Sequence, residues 1–334
     1  MKLHTLGEFG LIQRFSPFFT QNLPLGVEGI GDDCAIIPQN GQHSFLITTD
    51  LLIESIHFLT TTTSPEDLGY KSLAVSLSDI AGMGGKPLYA FLSIALPSTM
   101  EVDWVDRFFQ GFRQLAESEN VLLLGGDTTR SEEIAINVLV IGSAQTDHIK
   151  RRSQAKEGDI ICSTGYLGDS GAGLKILLEN LPHNPITEAL IHQHVHPRPH
   201  LSEGEWLASQ VGVHAMMDIS DGLDSDIQHI MERSHCGAKL YLDKLPLSPS
   251  LKTCAKQYGW FAEEMAATAG EDYCLLATVN PNAYAALNLG YQQLFDRPLF
   301  KVGEITTGST LSYLKDGQPF QLSKTGFDHF SAKS

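Results

Sequence analysis

The amino-acid sequence predicts a mixed α/β (α+β) protein of two domains, and three observations carry that reading. Alternating, β-branched stretches are interleaved with helix-spaced apolar residues in both halves. A polar, basic segment without clear period, Thr146–Gly158, parts the halves. The length, 334 residues, suits about two domains of ordinary size.

In chain order, a strand pattern covers Ser44–Thr49, and Pro65–Met83 then shows helical spacing. Its apolar stripe is Leu73, Leu77, Ile80 and Ala81, while Lys71, Val75 and Asp79 lie four apart on a neighbouring face. Strand Leu88–Leu96, helix Val102–Ser118 and strands Val121–Leu124 and Ile134–Ser143 complete an N-terminal domain placed at residues 1–147. The C-terminal domain, residues 148–334, opens with strand Asp159–Ser163 and the glycine-rich turn and helix GYLGDSGAGLKILLEN. It adds strand His214–Asp218, a helix from Ser220, and strands near Lys239–Leu242 and Tyr273–Val279.

With 42% hydrophobic and 19% charged residues, the chain has the material for real cores. Lys and Arg number 23 against 39 Asp and Glu, and the net charge of −16 repels nucleic-acid backbones and anionic membranes. Neither is an expected partner. Five scattered cysteines without a CxxC pair point to a reducing compartment rather than a secreted disulfide scaffold. Glu8 and Arg14 interrupt the opening segment before a signal-peptide core could form, and no span reaches the roughly 18 apolar residues of a membrane helix. The expected location is the cytoplasm.

Acidic residues gather in Gly-, Ser- and Thr-rich segments: GIGDDCA (Gly29–Ala35), TTDLL (Thr48–Leu52), SLSDIAGMGG (Ser76–Gly85), GGDTTRS (Gly125–Ser131) and MDISDGLDSD (Met217–Asp226). Each is expected to be a turn at a strand end, where α/β proteins place ligands. Two bare carboxylates about 4 Å apart repel by roughly 4 kcal/mol at an effective dielectric of about 20, so converging loops need cations between them. Oxygen-only donors select hard ions such as Mg²⁺, and Mg²⁺ suggests phosphate chemistry. Singly, each motif also reads as ordinary turn chemistry; Ser220 with Asp221 and Asp224 is what a helix N-cap and acidic first turn look like.

No Walker-type phosphate loop, strict GxGxxG or protein-kinase HRD and DFG set is present. The run HQHVHPRPH (His192–His200) has no nearby Cys and carries Pro197 and Pro199, so an irregular connection is expected rather than a zinc site. Cys34 reads as a buried small hydrophobe.

Seven motifs in order, GIGDDCA, TTDLLIESIHF, KSLAVSLSDIAGMGG, GGDTTRS, ISDGLDSD, GEDYCLL and GFDHF, resemble those of the thiamine-monophosphate kinase family, in the aminoimidazole-ribotide-synthetase-like (PurM-like) superfamily. The likeness runs from Gly7 to Phe330. It implies a two-domain fold whose N-terminal strands pair across a homodimer. It also implies transfer of the γ-phosphoryl group of ATP to thiamine monophosphate, giving thiamine diphosphate, with several Mg²⁺ held by Asp-rich segments.

By motif, the resemblance puts Asp33, Thr48, Thr49, Asp50, Asp79, Asp127, Asp218 and Asp221 on metals, with Asp32 beside them, and makes Asp50, Asp79, Asp127 and Asp221 the catalytic set. Gly126, Asp127, Arg152 and Ser220 fall where the family holds the nucleotide, and His57, Glu271 and Phe327 where it holds thiamine phosphate. Three positions depart from the pattern: Glu119 replaces a frequent Tyr near the adenine, Ser55 a common Gly, and Cys274 a frequent Glu. The alternatives are another ATP-dependent synthetase of the superfamily and a non-catalytic sensor of nucleotide or thiamine phosphate.

Overall fold

The structure, a computed structural model, describes residues 3–324 and residue 326. Helix α1 (Leu3–Thr20) leads into a five-stranded sheet of β1 (Ala35–Asn40), β2 (His43–Ile53), β3 (Lys86–Leu96), β4 (Leu122–Arg130) and β5 (Ala135–Gln145), accompanied by α2 (Pro65–Gly82) and α3 (Val102–Ser118). The strand order is β1-β2-β5-β3-β4, antiparallel except between β3 and β4.

The second half begins with β6 (Ile160–Ser163), α4 (Asp169–Leu178), α5 (Pro185–Val195) and α6 (Leu201–Ala208). It continues through β7 (Val213–Asp218), α7 (Leu223–Ser234), β8 (Gly237–Tyr241), α8 (Pro249–Tyr258), α9 (Ala262–Thr268) and β9 (Leu275–Val279). Then come α10 (Pro281–Phe295), β10 (Phe300–Thr306), β11 (Leu311–Lys315) and β12 (Gln318–Phe320). These strands form a seven-stranded sheet in the order β12-β11-β8-β10-β6-β9-β7, in which only β8 and β11 run parallel. The mixed α/β class read from the sequence is the one observed.

Helix α2 joins the two halves. Ser64 caps it, its Oγ accepting from the Asp67 N–H at 3.1 Å, and Pro65 opens its first turn. The sequence shows one apolar stripe, yet Lys71, Ser72, Ser76 and Ser78 are as buried as Leu73 and Leu77. The cause is packing on both sides: β2, β5 and α3 lie against one side of the helix, and α6 and β7 of the second half against the other. One apolar core therefore runs from Ile36, Leu46 and Leu77 to Cys162, Met216 and Leu275.

Two expectations change. TTDLL lies within β2, GGDTTRS within β4 up to Arg130, and most of SLSDIAGMGG within α2, so they are not turns at strand ends. Pairing with β5 and β3 carries β2 and β4 well past their apolar patterns. The histidine-rich run also starts as helix. Asn184 caps α5, its side chain accepting from Ile186 N–H at 2.9 Å, and His192 and His194 fall in the last turn, so the chain becomes irregular only from His196.

Candidate active site

Four acidic side chains meet where α2 passes between the sheets. Strand β2 turns Thr48 and Asp50 toward α2, and α2 brings Asp79, whose Oδ2 accepts from Thr48 Oγ1. Asp33 comes from the loop before β1 and Asp218 from the end of β7. Gly82 makes this approach feasible: a Cβ there would lie 2.3 Å from Asp33 Oδ2 and 2.8 Å from the Asp218 nitrogen. Thr49, between Thr48 and Asp50, faces the other side of the sheet, where its Oγ1 accepts from Asn137 Nδ2 at 2.8 Å.

These carboxylates resist ionisation together. Burial, then Asp50, Asp218 and Asp33, holds Asp79 well above the usual carboxylate range. Burial and Asp33 push Asp218 up to about 8, and the same two causes raise Asp50. Asp33 is raised by burial even though Arg152 pulls it the other way, with Nε 3.0 Å from Oδ1. Among the described residues, the Oδ2 atoms of Asp33, Asp50 and Asp218 are buried without a hydrogen-bond partner. Buried acceptors lacking a donor are costly, and an oxygen-only set fits a hard cation, so these residues suit Mg²⁺. Among the described residues, no three His, Cys, Asp or Glu side chains gather closely enough to hold an ion unaided. An ion here would complete its shell with phosphate and water oxygens, the ordinary habit of Mg²⁺.

Arg152 ties the acidic loop to the second half. Besides Asp33, it engages Asp32, whose Oδ1 accepts from the Arg152 backbone N–H at 2.7 Å. Burial opposes the guanidinium charge, but Asp33, Asp32 and Asp218 outweigh it and raise the Arg152 pKa. Asp127 lies apart from the buried group, exposed on edge strand β4 opposite Ser93 of β3. Beside it Gly126 has φ 150, and a Cβ would fall 1.6 Å from the Leu92 carbonyl oxygen, so only glycine fits.

Ser220 and Asp221 form the turn from β7 into α7, the Ser220 carbonyl accepting from Glu271 N–H at 2.7 Å. The Asp221 N–H donates to Asp226 Oδ2 at 3.3 Å. Asp226 is buried, and burial followed by Asp221 and Asp218 drives its pKa well up. Asp226 closes the motif MDISDGLDSD, whose pattern alone gives it no separate role. The available signal was its place in the apolar stripe Leu223, Ile227, Ile230, where a carboxylate needs a reason to be.

Among the residues expected to hold the acceptor, His57 Nδ1 accepts from Ile53 N–H at 3.0 Å, and nearby Ser55 has a left-handed φ of 67, which accounts for glycine being common there. Glu271, with φ 64, places Oε1 2.8 Å from Lys71 Nζ and Oε2 3.2 Å from His194 Nδ1. His194 Nδ1 also lies 3.1 Å from Ser170 Oγ. Burial works against the Glu271 charge, yet Lys71 and His194 prevail and hold its pKa at about 2. No local motif marks Lys71 or His194 as a site residue; the one hint in the sequence is a lone cation on the Val75 and Asp79 face of α2. The other histidines of that run have separate partners: His196 stacks on Tyr70 with centroids 3.3 Å apart, and His200 Nδ1 is 2.9 Å from Thr164 Oγ1. Phe327 lies outside the described residues.

Residues 31–144 match the family of the AIR synthase related protein N-terminal domain, and residues 156–313 that of its C-terminal domain. The chain is 37% identical to the thiamine-monophosphate kinase of Haemophilus influenzae, covering 97% of this chain and 98% of that protein. Identity to the Escherichia coli thiamine-monophosphate kinase is 37%, with the same coverage. A solved structure described as AaThiL complexed with AMPPCP and TMP superposes with a TM-score of 0.86 at 33% identity, covering 98% of this chain and 99% of that one. The ordered motifs, the two matched domains and these full-length likenesses agree: this chain belongs to the thiamine-monophosphate kinase family of AIR synthase related proteins.

Proposed function

We infer that this chain carries out its family's ATP-dependent phosphorylation of thiamine monophosphate at the interdomain carboxylate cluster, with Asp33, Thr48, Asp50, Asp79, Asp218 and Asp221 as the residues that hold Mg²⁺. The observation that carries this reading is the meeting of buried carboxylates from both halves, three of them with an oxygen that finds no donor among the described residues. Such a cluster repels phosphates when bare. With Mg²⁺ bound, phosphate charge is neutralised and the terminal phosphorus becomes more electrophilic.

The chain's own side chains position the reactants. The Arg152 fork suits phosphate oxygens, and Gly126, lacking a side chain, lets Asp127 and β4 approach the nucleotide closely. Ser220 sits at the turn into α7, where backbone N–H groups at a helix start favour anions. Glu271, kept ionised by Lys71 and His194, complements the cationic thiazolium ring of thiamine, and His57 and Phe327 complete the acceptor side. No covalent nucleophile is needed. An ionised oxygen of the acceptor phosphate forms the new P–O bond as the bond between the γ-phosphorus and its bridging oxygen breaks, giving ADP and thiamine diphosphate.

Two further assignments go with this reading. Edge strand β4 is exposed on both faces, with Leu122 and Leu124 58% and 55% exposed, and we assign it to pairing with a second copy of the chain. Sedimentation at working concentration tests this, and a monomer would exclude it. We place the protein in the cytoplasm: its five cysteines are free and buried, and no described helix is long and apolar enough to cross a membrane. The deciding experiment for the function is turnover. Purified protein with ATP, Mg²⁺ and thiamine monophosphate should yield ADP and thiamine diphosphate in equal amounts, whereas binding without product would leave the sensor alternative.

A further inference from the structure

Among the described residues two lysines are buried, Lys71 and Lys150, and they differ in one respect. Lys71 has Glu271, but among the described residues Lys150 has no carboxylate partner: its Nζ meets only the Gln210 carbonyl oxygen, at 3.3 Å. A buried ammonium without a counter-charge is costly, and burial alone lowers the Lys150 pKa. Lys150 lines a depression of about 580 Å³ between the linker that follows β5 and the start of β7. Lys156 lines it too, exposed and without an ion pair among the described residues, its Nζ 3.2 Å from His214 Nε2. His214 is fixed by Asp159, 2.9 Å from Nδ1, and Arg151 on the rim is already matched by Glu28. Asp147 also borders the depression but pairs with neither lysine.

We propose that this depression is a second anion site, distinct from the carboxylate cluster, which takes a phosphorylated anion of about diphosphate size between Lys150 and Lys156. Two unpaired ammoniums supply charge for such a group, and lysine serves phosphate as a point charge without needing a fixed fork. The site faces the beginning of β7, whereas Asp218 ends that strand, so roughly four residues or about 13 Å of extended chain separate the two. A bound anion would pin the linker to the second sheet and so fix the relation of the two halves. This inference does not depend on the phosphoryl-transfer reading.

Calorimetric titration in EDTA tests it, because without Mg²⁺ the acidic cluster repels phosphates. The probes are inorganic diphosphate, ADP and thiamine diphosphate. The parent should bind inorganic diphosphate, Lys150→Met should weaken it at least tenfold, Lys156→Gln several-fold, and Asp79→Asn should leave it unchanged. Equal affinity for all three probes would assign the site to the shared diphosphate group, and a tenfold preference for ADP or thiamine diphosphate would assign it to that molecule. Lys150→Met should also melt higher than the parent without anion and lose the rise in melting temperature that diphosphate confers on the parent. No binding by the parent up to millimolar diphosphate overturns the proposal. So does unchanged affinity in both lysine variants, or loss of binding in Asp79→Asn.

Discussion

Lys71 of α2 and Glu271 of the loop before β9 form an ion pair that links the two halves, Nζ to Oε1 2.8 Å, with side chains 2% and 23% exposed. Asp79 lies two turns further along the same helix, so one rigid element carries both a carboxylate proposed to hold metal and the lysine that fixes Glu271, proposed for the acceptor.

Removing one partner of a buried pair leaves the other uncompensated, at a cost of about 3–5 kcal/mol. Lys71→Met should therefore lower the melting temperature by several degrees, and it should raise KM for thiamine monophosphate more than KM for ATP. If Lys71→Met matches the parent in both measurements, the bridge neither supports the fold nor positions Glu271.

The same pair sets an acid limit. Glu271 has a folded pKa of about 2 against an ordinary value of 4.5. A carboxylate depressed on folding adds stability that is fully present above about pH 4.5 and is lost as pH falls toward 2. The gap in melting temperature between the parent and Glu271→Gln should be widest at neutral pH and narrow steadily from pH 5 to pH 3. A gap that stays constant over that range would show that ionised Glu271 is not what the bridge stabilises.

Much of this site was legible because its carboxylates occur in short motifs whose order is specific, and the strands and helices carrying Asp50, Asp79 and Asp218 have clear periods. What escaped had physical reasons. Strand β1 begins inside GIGDDCA, where turn residues mask it, and α5 hides behind a histidine run that reads as loop. In β4 no alternation marks the polar end, because an edge strand exposed on both faces has no inside to specify. Lys71, His194 and Asp226 become site residues only through contacts distant in sequence, which no local pattern encodes.

Charge in the cluster opposes folding when no cation is present. Asp79→Asn keeps the side chain's shape while removing a carboxylate that burial and three neighbours already disfavour as an anion. In EDTA its melting temperature should equal or exceed that of the parent, whereas turnover with Mg²⁺ should fall by orders of magnitude. Added Mg²⁺ should raise the melting temperature of the parent more than that of the variant. An equal Mg²⁺ response in both proteins would remove Asp79 from the metal-holding set.

Arg152 has two duties that substitution can separate. It lies against buried Asp33 and accounts for the only cation among the strongest influences on that carboxylate, so Arg152→Ala exposes the cluster to its own repulsion. The melting temperature in EDTA should drop, and Mg²⁺ should restore much of the loss because bound cations replace the missing charge. The second is the duty proposed for it toward nucleotide phosphate, for which a guanidinium offers two parallel donors. Arg152→Ala should therefore raise KM for ATP several-fold with little change for thiamine monophosphate, and Arg152→Lys should recover stability better than ATP affinity, since an ammonium keeps the charge but loses the fork. If KM for ATP stays at the parent's value in both variants while stability falls, Arg152 serves only as the counter-ion of Asp33.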